Sequence, residues 1–300
     1  MISVSANEVC TALETDGIVM LPELVSKAQL KDMQASFASR LRHLRWNDVD
    51  GFEMNERYRH MVQDVLALGQ AFVDVALHPV VKDTLREYIG PRFELVEAKG
   101  WKSVPTKRDF HGWHGDAWYD QTKVNFIPRE VKLAVYLTDV SSGYFEYVRG
   151  SHQKQAPRTV KNIELNGVDP TQIFPAKGVA GTAILFDTSG IHRQSVPILQ
   201  ERHAIFLNYH DPFVPLQSED VEYNRYHPLI LNAAFLGGLT DEDRRILGFG
   251  NKSNYVPYFE RETPHKFVHA SIEGCFDLFL RTREFVDRVS ARLKRVASGK

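Results

Sequence analysis

Apolar and polar positions along this chain follow a helical period first and a strand period afterwards. Ser26-Lys-Ala-Gln29 is a capping-box pattern, and the apolar residues behind it recur every three to four positions to about Leu44. The same spacing runs through Val62–Leu77 and again through Val80–Ile89, which predicts an N-terminal helical region. From Phe93 onward short segments rich in aromatic and β-branched residues take over: Phe93–Trp101, Val131–Leu137, Tyr144–Val148, Ala183–Phe186 and Ile205–Tyr209. Gly, Pro, Ser or Asp turns separate them, as expected of strands. Helices followed by a run of strands predict a mainly β, α+β fold, an antiparallel jelly-roll barrel with helices packed on one face. Residues 211–275 are polar, and Thr240-Asp-Glu-Asp243 is their clearest helix start. We read residues 1–300 as a single domain whose stretch 211–300 elaborates the barrel.

Composition narrows the function classes. With 43% hydrophobic residues in 300 the chain can bury a substantial core, and a net charge of −1 gives no footing for a nucleic-acid partner. Cys10 and Cys275 are too few for a disulfide framework and are spaced unlike a zinc motif. Met1–Glu14 lacks a basic start and a long apolar segment, and nowhere do 18 apolar residues run together. Neither an export signal nor a membrane span is expected, and the cytoplasm is the default. Residues 281–300 carry seven basic residues against Glu284 and Asp287, with Val286, Val289, Leu293 and Val296 at 3-4-3 spacing. The plainer expectation is a helix packed on the barrel with a solvated basic face. The same pattern also fits a helix lying on an anionic membrane, peripheral at its inner face.

The chemistry is carried by His114-Gly115-Asp116, by His192 far downstream and by Arg202 ten residues later. On extended chain residues i and i+2 point to the same side, so His114 and Asp116 can converge on one ion while Gly115 faces away. His192 follows the glycine-bounded apolar run Gly178–Asp187, a buried strand, and would close the set from a neighbouring strand. Two imidazoles and one carboxylate bind one face of an octahedral ferrous ion and leave three positions open. Arg202 begins Arg-His-Ala-Ile-Phe-Leu-Asn-Tyr, which we expect to pair back onto His192, and a planar guanidinium suits the distal carboxylate of a keto acid. Arg193 adjoins the ligand and should point away. Trp118 shares the parity of His114 and Asp116, and with Trp101 and Tyr136 it is a candidate lining of a substrate pocket. For Trp113, His111 and His152 packing or support is expected rather than ligation.

Taken in order, several stretches resemble the phytanoyl-CoA dioxygenase-like family of Fe(II)/2-oxoglutarate oxygenases. They are Asp16–Pro22, His78-Pro-Val-Val, His111-Gly-Trp-His114-Gly-Asp116, Leu137-Thr-Asp139 leading to Gly143, Gly150-Ser-His152, and Gly181 to His192. They lie within a core of about residues 12–210. The resemblance implies a double-stranded β-helix, Fe(II) on His114, Asp116 and His192, and 2-oxoglutarate on Arg202, with O₂ as the other co-substrate. It further implies hydroxylation of a small-molecule substrate with release of succinate and CO₂. Relatives that halogenate lack the carboxylate, so Asp116 points to hydroxylation, or to desaturation or ring closure. Two positions depart from the family pattern. Arg149 replaces the usual proline before Gly-Ser-His, and Gln194 replaces a small hydroxyl two residues after the distal histidine, which leaves Ser195 as a substitute contact to 2-oxoglutarate.

Two readings of other classes stand beside this one. A cupin-like metal enzyme without a keto acid would share the triad but has no use for Arg202. A non-catalytic binding module on an oxygenase-like barrel has no use for an intact triad.

Overall fold

The computed structural model describes residues 5–42, 59–63, 65–109, 111–116, 119–154, 163–215 and 239–247, together with Leu278, Thr282, Phe285, Val286 and Val289. The chain divides into two compact units, Met1–Asn254 and Tyr255–Lys300. In the first, the elements run α1 (Ala6–Asp16), β1 (Ile18–Leu21), α2 (Lys27–Leu41), β2 (Arg59–Gln63), α3 (Gln70–Ala76), α4 (Pro79–Tyr88) and β3 (Glu94–Ser103). They continue with β4 (Glu130–Tyr136), β5 (Val140–Val148), β6 (Ile173–Gly178), β7 (Ala183–Asp187), β8 (His192–Gln194), β9 (Arg202–His210) and α5 (Asp241–Ile246). Of the second unit, the described positions are helical, and Leu278, Phe285, Val286 and Val289 are exposed. Among the described residues no helix is long and apolar enough to cross a membrane.

The strands form two antiparallel sheets, one of six in the order β1-β7-β4-β9-β3-β2 and one of three in the order β6-β5-β8. This is the antiparallel jelly roll predicted from the succession of strands, in the double-stranded β-helix form that the family resemblance implied. The capping box read at Ser26 forms, and the helix start read at Thr240 is a capping box too, each side chain accepting the N–H of the third residue of its helix while that residue returns a bond to the cap. A third box, Ser5 with Glu8, starts α1.

Side-chain alternation divides the large sheet between two cores. Val131, Leu133 and Val135 of β4, Leu185 of β7, and Ile205, Leu207 and Tyr209 of β9 face the helices, where they pack with Phe37, Phe72 and Leu85. The opposite parity (Ala134, Tyr136, Ile184, Phe186, Ala204) faces the small sheet and meets Phe145 and Tyr147. Lys132 lies on that inner parity of β4, and Arg202 on that of β9. Strand parity therefore turns Lys132 and Arg202 toward the barrel interior.

Two expectations change. Val62 does not open a helix, because Arg59–Gln63 pairs residue for residue with Ser103–Lys99. A 3-10 turn (Val65–Leu68) and α3 then take up the helical spacing. Nor does β9 pair back onto His192: it lies between β3 and β4, with Arg202 opposite Ser103, whereas β8 pairs with β5 in the other sheet. A loop of seven residues between β8 and β9 reads like a hairpin in sequence, but here it crosses from one sheet to the other.

Helix α2 can seat Phe37 on the sheet because β3 has a glycine beneath the ring. A Cβ on Gly100 would stand 2.3 Å from Phe37 Cε2 and 3.2 Å from Val65 Cγ1. Phe37 is fully buried, so the ring has no free volume to retreat into. Gly100→Ala should lower the unfolding free energy by about 1–3 kcal/mol, read by urea denaturation; an unchanged midpoint would show that α2 shifts without cost.

Candidate active site

His114 lies outside the named strands, yet its backbone is fixed. Its N–H donates to His192 O (3.0 Å) and its carbonyl accepts from His192 N–H (2.8 Å), a single antiparallel bridge that sets the two residues side by side. Asp116 N–H donates to Thr188 O (2.9 Å), which continues the alignment along the segment before β8. The extended geometry inferred for His-Gly-Asp is thus supplied by two neighbouring backbones rather than by a long strand.

The imidazoles are oriented in the same way. His114 Nδ1 donates to Gly112 O (3.0 Å) and His192 Nδ1 to Gly190 O (2.8 Å); since a carbonyl only accepts, Nδ1 carries the hydrogen in both rings. Each Nε2 keeps its lone pair for a ligand, the usual arrangement of metal-binding histidines. Asp116 Oδ1 is 4.0 Å from His114 Nε2. Among the described residues His114, Asp116 and His192 form the one cluster able to hold a metal ion, with ligand atoms all within 4.8 Å of one another. The donor set, two neutral imidazoles and a carboxylate on one side, fits a ferrous ion with open positions.

An aromatic box holds His192 rigid. Tyr147 stacks on it at 6.4 Å and 10°, and Phe145 and Phe186 approach at 5.3 and 5.5 Å. Gly190 makes room, for a Cβ there would fall 1.9 Å from the Tyr147 hydroxyl, which donates to Asp187 O. Burial, and then His114, push the His192 pKa down to about 3. Burial works against ionisation of Asp116 too, but Lys132, whose Nζ donates to Asp116 Oδ2 at 2.5 Å, outweighs it together with the two histidines. Asp116 is held as a carboxylate, well below the usual range. Lys132 is buried as well, but Asp116, Glu130 and Glu97 around it raise its pKa and keep the ammonium charged.

Arg202 is 5% exposed. One terminal N–H₂ donates to Gly143 O (2.6 Å), while Nε has no hydrogen-bond partner, and burial draws the guanidinium's pKa below its ordinary value. Gln194, two residues after His192 and on its side of β8, donates to the same Gly143 O (3.3 Å) and to Ser103 Oγ (3.5 Å). The hydroxyl standing in register with Arg202 is Ser103. Ser195 is buried one position further along, with its N–H on Tyr144 O. Arg193 does point elsewhere, pairing with Glu146 (2.7 Å) and Asp109 (3.8 Å) over the Trp113 ring.

Of the pocket candidates, Trp101 lies on β3 under the Arg59 guanidinium (3.8 Å). Tyr136 is core, donating to Ala176 O and accepting from Phe145 N–H. Trp118 falls outside the described residues. A small open pocket at His114 is lined by Arg59, Arg108, His111 and Gln194 among others. Lys132, Ser103 and Gln194 were not picked out by the sequence as site residues. The signal was there for Lys132, a lone cation in the otherwise apolar Val131–Tyr136 on the parity of Ala134 and Tyr136.

A family model described as phytanoyl-CoA dioxygenase matches residues 13–195. None of the curated proteins matches. Among solved structures, EctD from S. alaskensis with bound Fe has a TM-score of 0.57 at 21% identity over 71% of this chain and 79% of its own. HygX from Streptomyces hygroscopicus, solved with nickel and 2-oxoglutarate, gives 0.52 at 19% over 71% and 90%. The carbocyclase SnoK from nogalamycin biosynthesis gives 0.55 at 16% over 79% and 93%. At these identities the likeness establishes the fold.

The buried histidines make folding depend on pH. His210, like His192, is pushed down to about 3, in its case by burial alone. An unfolded imidazole takes its proton near pH 6.5. Below that the unfolded state binds protons the native state refuses, so stability, fully present above about 6.5, falls with pH down to about 3, by about 1.4 kcal/mol per pH unit for each histidine. Urea unfolding of metal-free protein at pH 7, 6 and 5 should show this slope, and His210→Gln should remove about one proton's share of it. An equal slope in that variant would mean that His210 titrates normally in the fold.

Proposed function

Because the chain belongs to the phytanoyl-CoA dioxygenase family and is an Fe(II)/2-oxoglutarate-dependent oxygenase, we propose that His114, Asp116 and His192 hold the iron and that Arg202 receives the distal carboxylate of 2-oxoglutarate. When bound, the iron supplies the oxidising chemistry with 2-oxoglutarate and O₂, and the keto acid leaves as succinate and CO₂. The protein's own part is to bind, orient and exclude water. The Nδ1–H bonds to Gly112 O and Gly190 O aim both imidazoles, and the aromatic box around His192 keeps the site dry.

The observation that carries the co-substrate assignment is the half-satisfied state of Arg202. A buried guanidinium with one carbonyl partner and an unpartnered Nε is costly by itself. A carboxylate arriving beside it supplies the counter-charge and the missing acceptor. Ser103 and Gln194, linked to Arg202 through register and through Gly143 O, are the polar neighbours that would hold the same carboxylate, in place of Ser195. The cupin-like alternative leaves Arg202 unexplained.

The reaction we propose is hydroxylation of an aliphatic C–H of a small molecule: a metabolite, a natural product, or a lipid-linked or sugar-acid substrate. Asp116 fills the position that halogenating relatives leave open. The lipid-linked option goes with cytoplasmic placement and with residues 281–300 touching an anionic membrane, which the exposed Phe285, Val286 and Val289 support.

Anaerobic addition of Fe(II) and 2-oxoglutarate to apoprotein should give the weak visible absorption of a chelated keto acid, absent in Asp116→Ala and His192→Ala. Arg202→Ala should weaken 2-oxoglutarate about ten- to a hundredfold and leave iron affinity nearly unchanged, while Arg193→Ala should do little. A large effect in Arg193→Ala with none in Arg202→Ala would reverse the assignment. For the membrane proposal, full-length protein should bind acidic vesicles at low salt and lose them as salt rises or when 281–300 is deleted. Indifference to acidic vesicles at low salt would end it.

A further inference from the structure

Asp116 uses its two oxygens for different purposes. Oδ1 faces His114 Nε2 at 4.0 Å, whereas Oδ2 is held by Lys132 Nζ at 2.5 Å. Both side chains are mostly buried, at 17% exposure for Lys132 and 19% for Asp116, so their charges act with little screening. Lys132 reaches this point from the inner parity of β4, opposite Asn208 on β9 and Phe186 on β7, and both neighbouring strands hold its backbone. A ligand carboxylate is often held by a neutral donor, whose only effect is orientation. Here the donor carries a full positive charge, and that changes what the triad offers to a cation.

Building on the iron assignment above, we propose that Lys132 is a positioning residue that holds Asp116 Oδ2, presents the carboxylate to the metal through Oδ1 alone, and lowers the affinity of the triad for a divalent ion. The ion gains the pull of Oδ1 against the repulsion of the ammonium behind it, a repulsion that Glu130 and Glu97 near Lys132 temper but leave in place. The consequence for the enzyme is that the bare ion is held more weakly than it would be by an aspartate without Lys132.

The test uses full-length protein and Mn(II), followed by the EPR signal of the free ion, with and without saturating 2-oxoglutarate, so that no turnover is read. Lys132→Gln keeps a hydrogen-bond donor but removes the charge. It should bind Mn(II) more tightly than wild type by about tenfold or more in both conditions, whereas Lys132→Arg should stay near wild type. If Lys132→Gln does not fold, as judged by circular dichroism, Lys132→Met reads the same loss of charge. Metal affinity unchanged or weakened in the uncharged variants would overturn the proposal and leave Lys132 as a structural support. Asp116→Ala separates this from a wrong metal site. If that variant binds Mn(II) as the wild type does, the iron assignment falls and the proposal with it; if it loses Mn(II), the outcome in the Lys132 variants decides the proposal alone.

Discussion

Two backbone hydrogen bonds between His114 and His192 hold the site together. The residues come from segments far apart in sequence, and neither segment is long enough to be a stable strand by itself: β8 is three residues, and His114 contributes a single bridge. Each ligand's peptide completes the other's hydrogen bonding, so the distance between the imidazoles is set by main-chain geometry before any metal is considered. The same economy appears at Gly112 and Gly190, whose carbonyls lie two residues before each histidine and fix its tautomer. Substitutions that leave this backbone pairing intact can alter affinity without dismantling the site.

Around that pairing, the barrel interior is a polar seam enclosed by apolar walls. Strand parity sends Val131, Leu133 and Val135 to the helices and leaves Lys132 facing inward, and it leaves Arg202 inward beside Ala204. Burying a cation costs free energy unless something compensates. Lys132 is compensated within the chain by Asp116, whereas Arg202 has only a carbonyl. On the proposed assignment this difference separates the two cations: one holds a ligand carboxylate, and the other is completed by a guest.

Much of this was legible in the sequence, for identifiable reasons. The β4 and β7 segments announced themselves because both faces of a central strand are buried, and the capping boxes at Ser26 and Thr240 are local chemistry that tertiary packing did not override. The triad was readable because i, i+2 spacing constrains extended chain in much the same way whether or not a strand forms. What could not be read was sheet membership. The β8–β9 connection is short enough to pass for a hairpin, and only the closing of the two sheets on one another sends β9 to pair with β3. That misplacement hid Ser103, because a residue eleven positions before His114 becomes a neighbour of Arg202 only through that register. The helical spacing was read from Val62, inside β2, for a related reason: the pairing partner of β2 on β3 lies some forty residues ahead, and local spacing carries no trace of it.

The site's electrostatics place a limit on the ligands it can accept. Lys132 is paired with Asp116, whereas buried Arg202 has only a carbonyl, so on the proposed assignment a guest carrying a carboxylate is favoured over a neutral one. A neutral ligand of the same shape would leave the guanidinium's charge unmatched in a medium where unmatched charge is expensive. On that proposal, preference for a dianionic keto acid draws on a cation that strand parity places inward on β9. The barrel itself does not depend on which substrate is read, and a carbocyclase only 16% identical to this chain shares the fold, whose sheets are held by backbone hydrogen bonds that many sequences can satisfy.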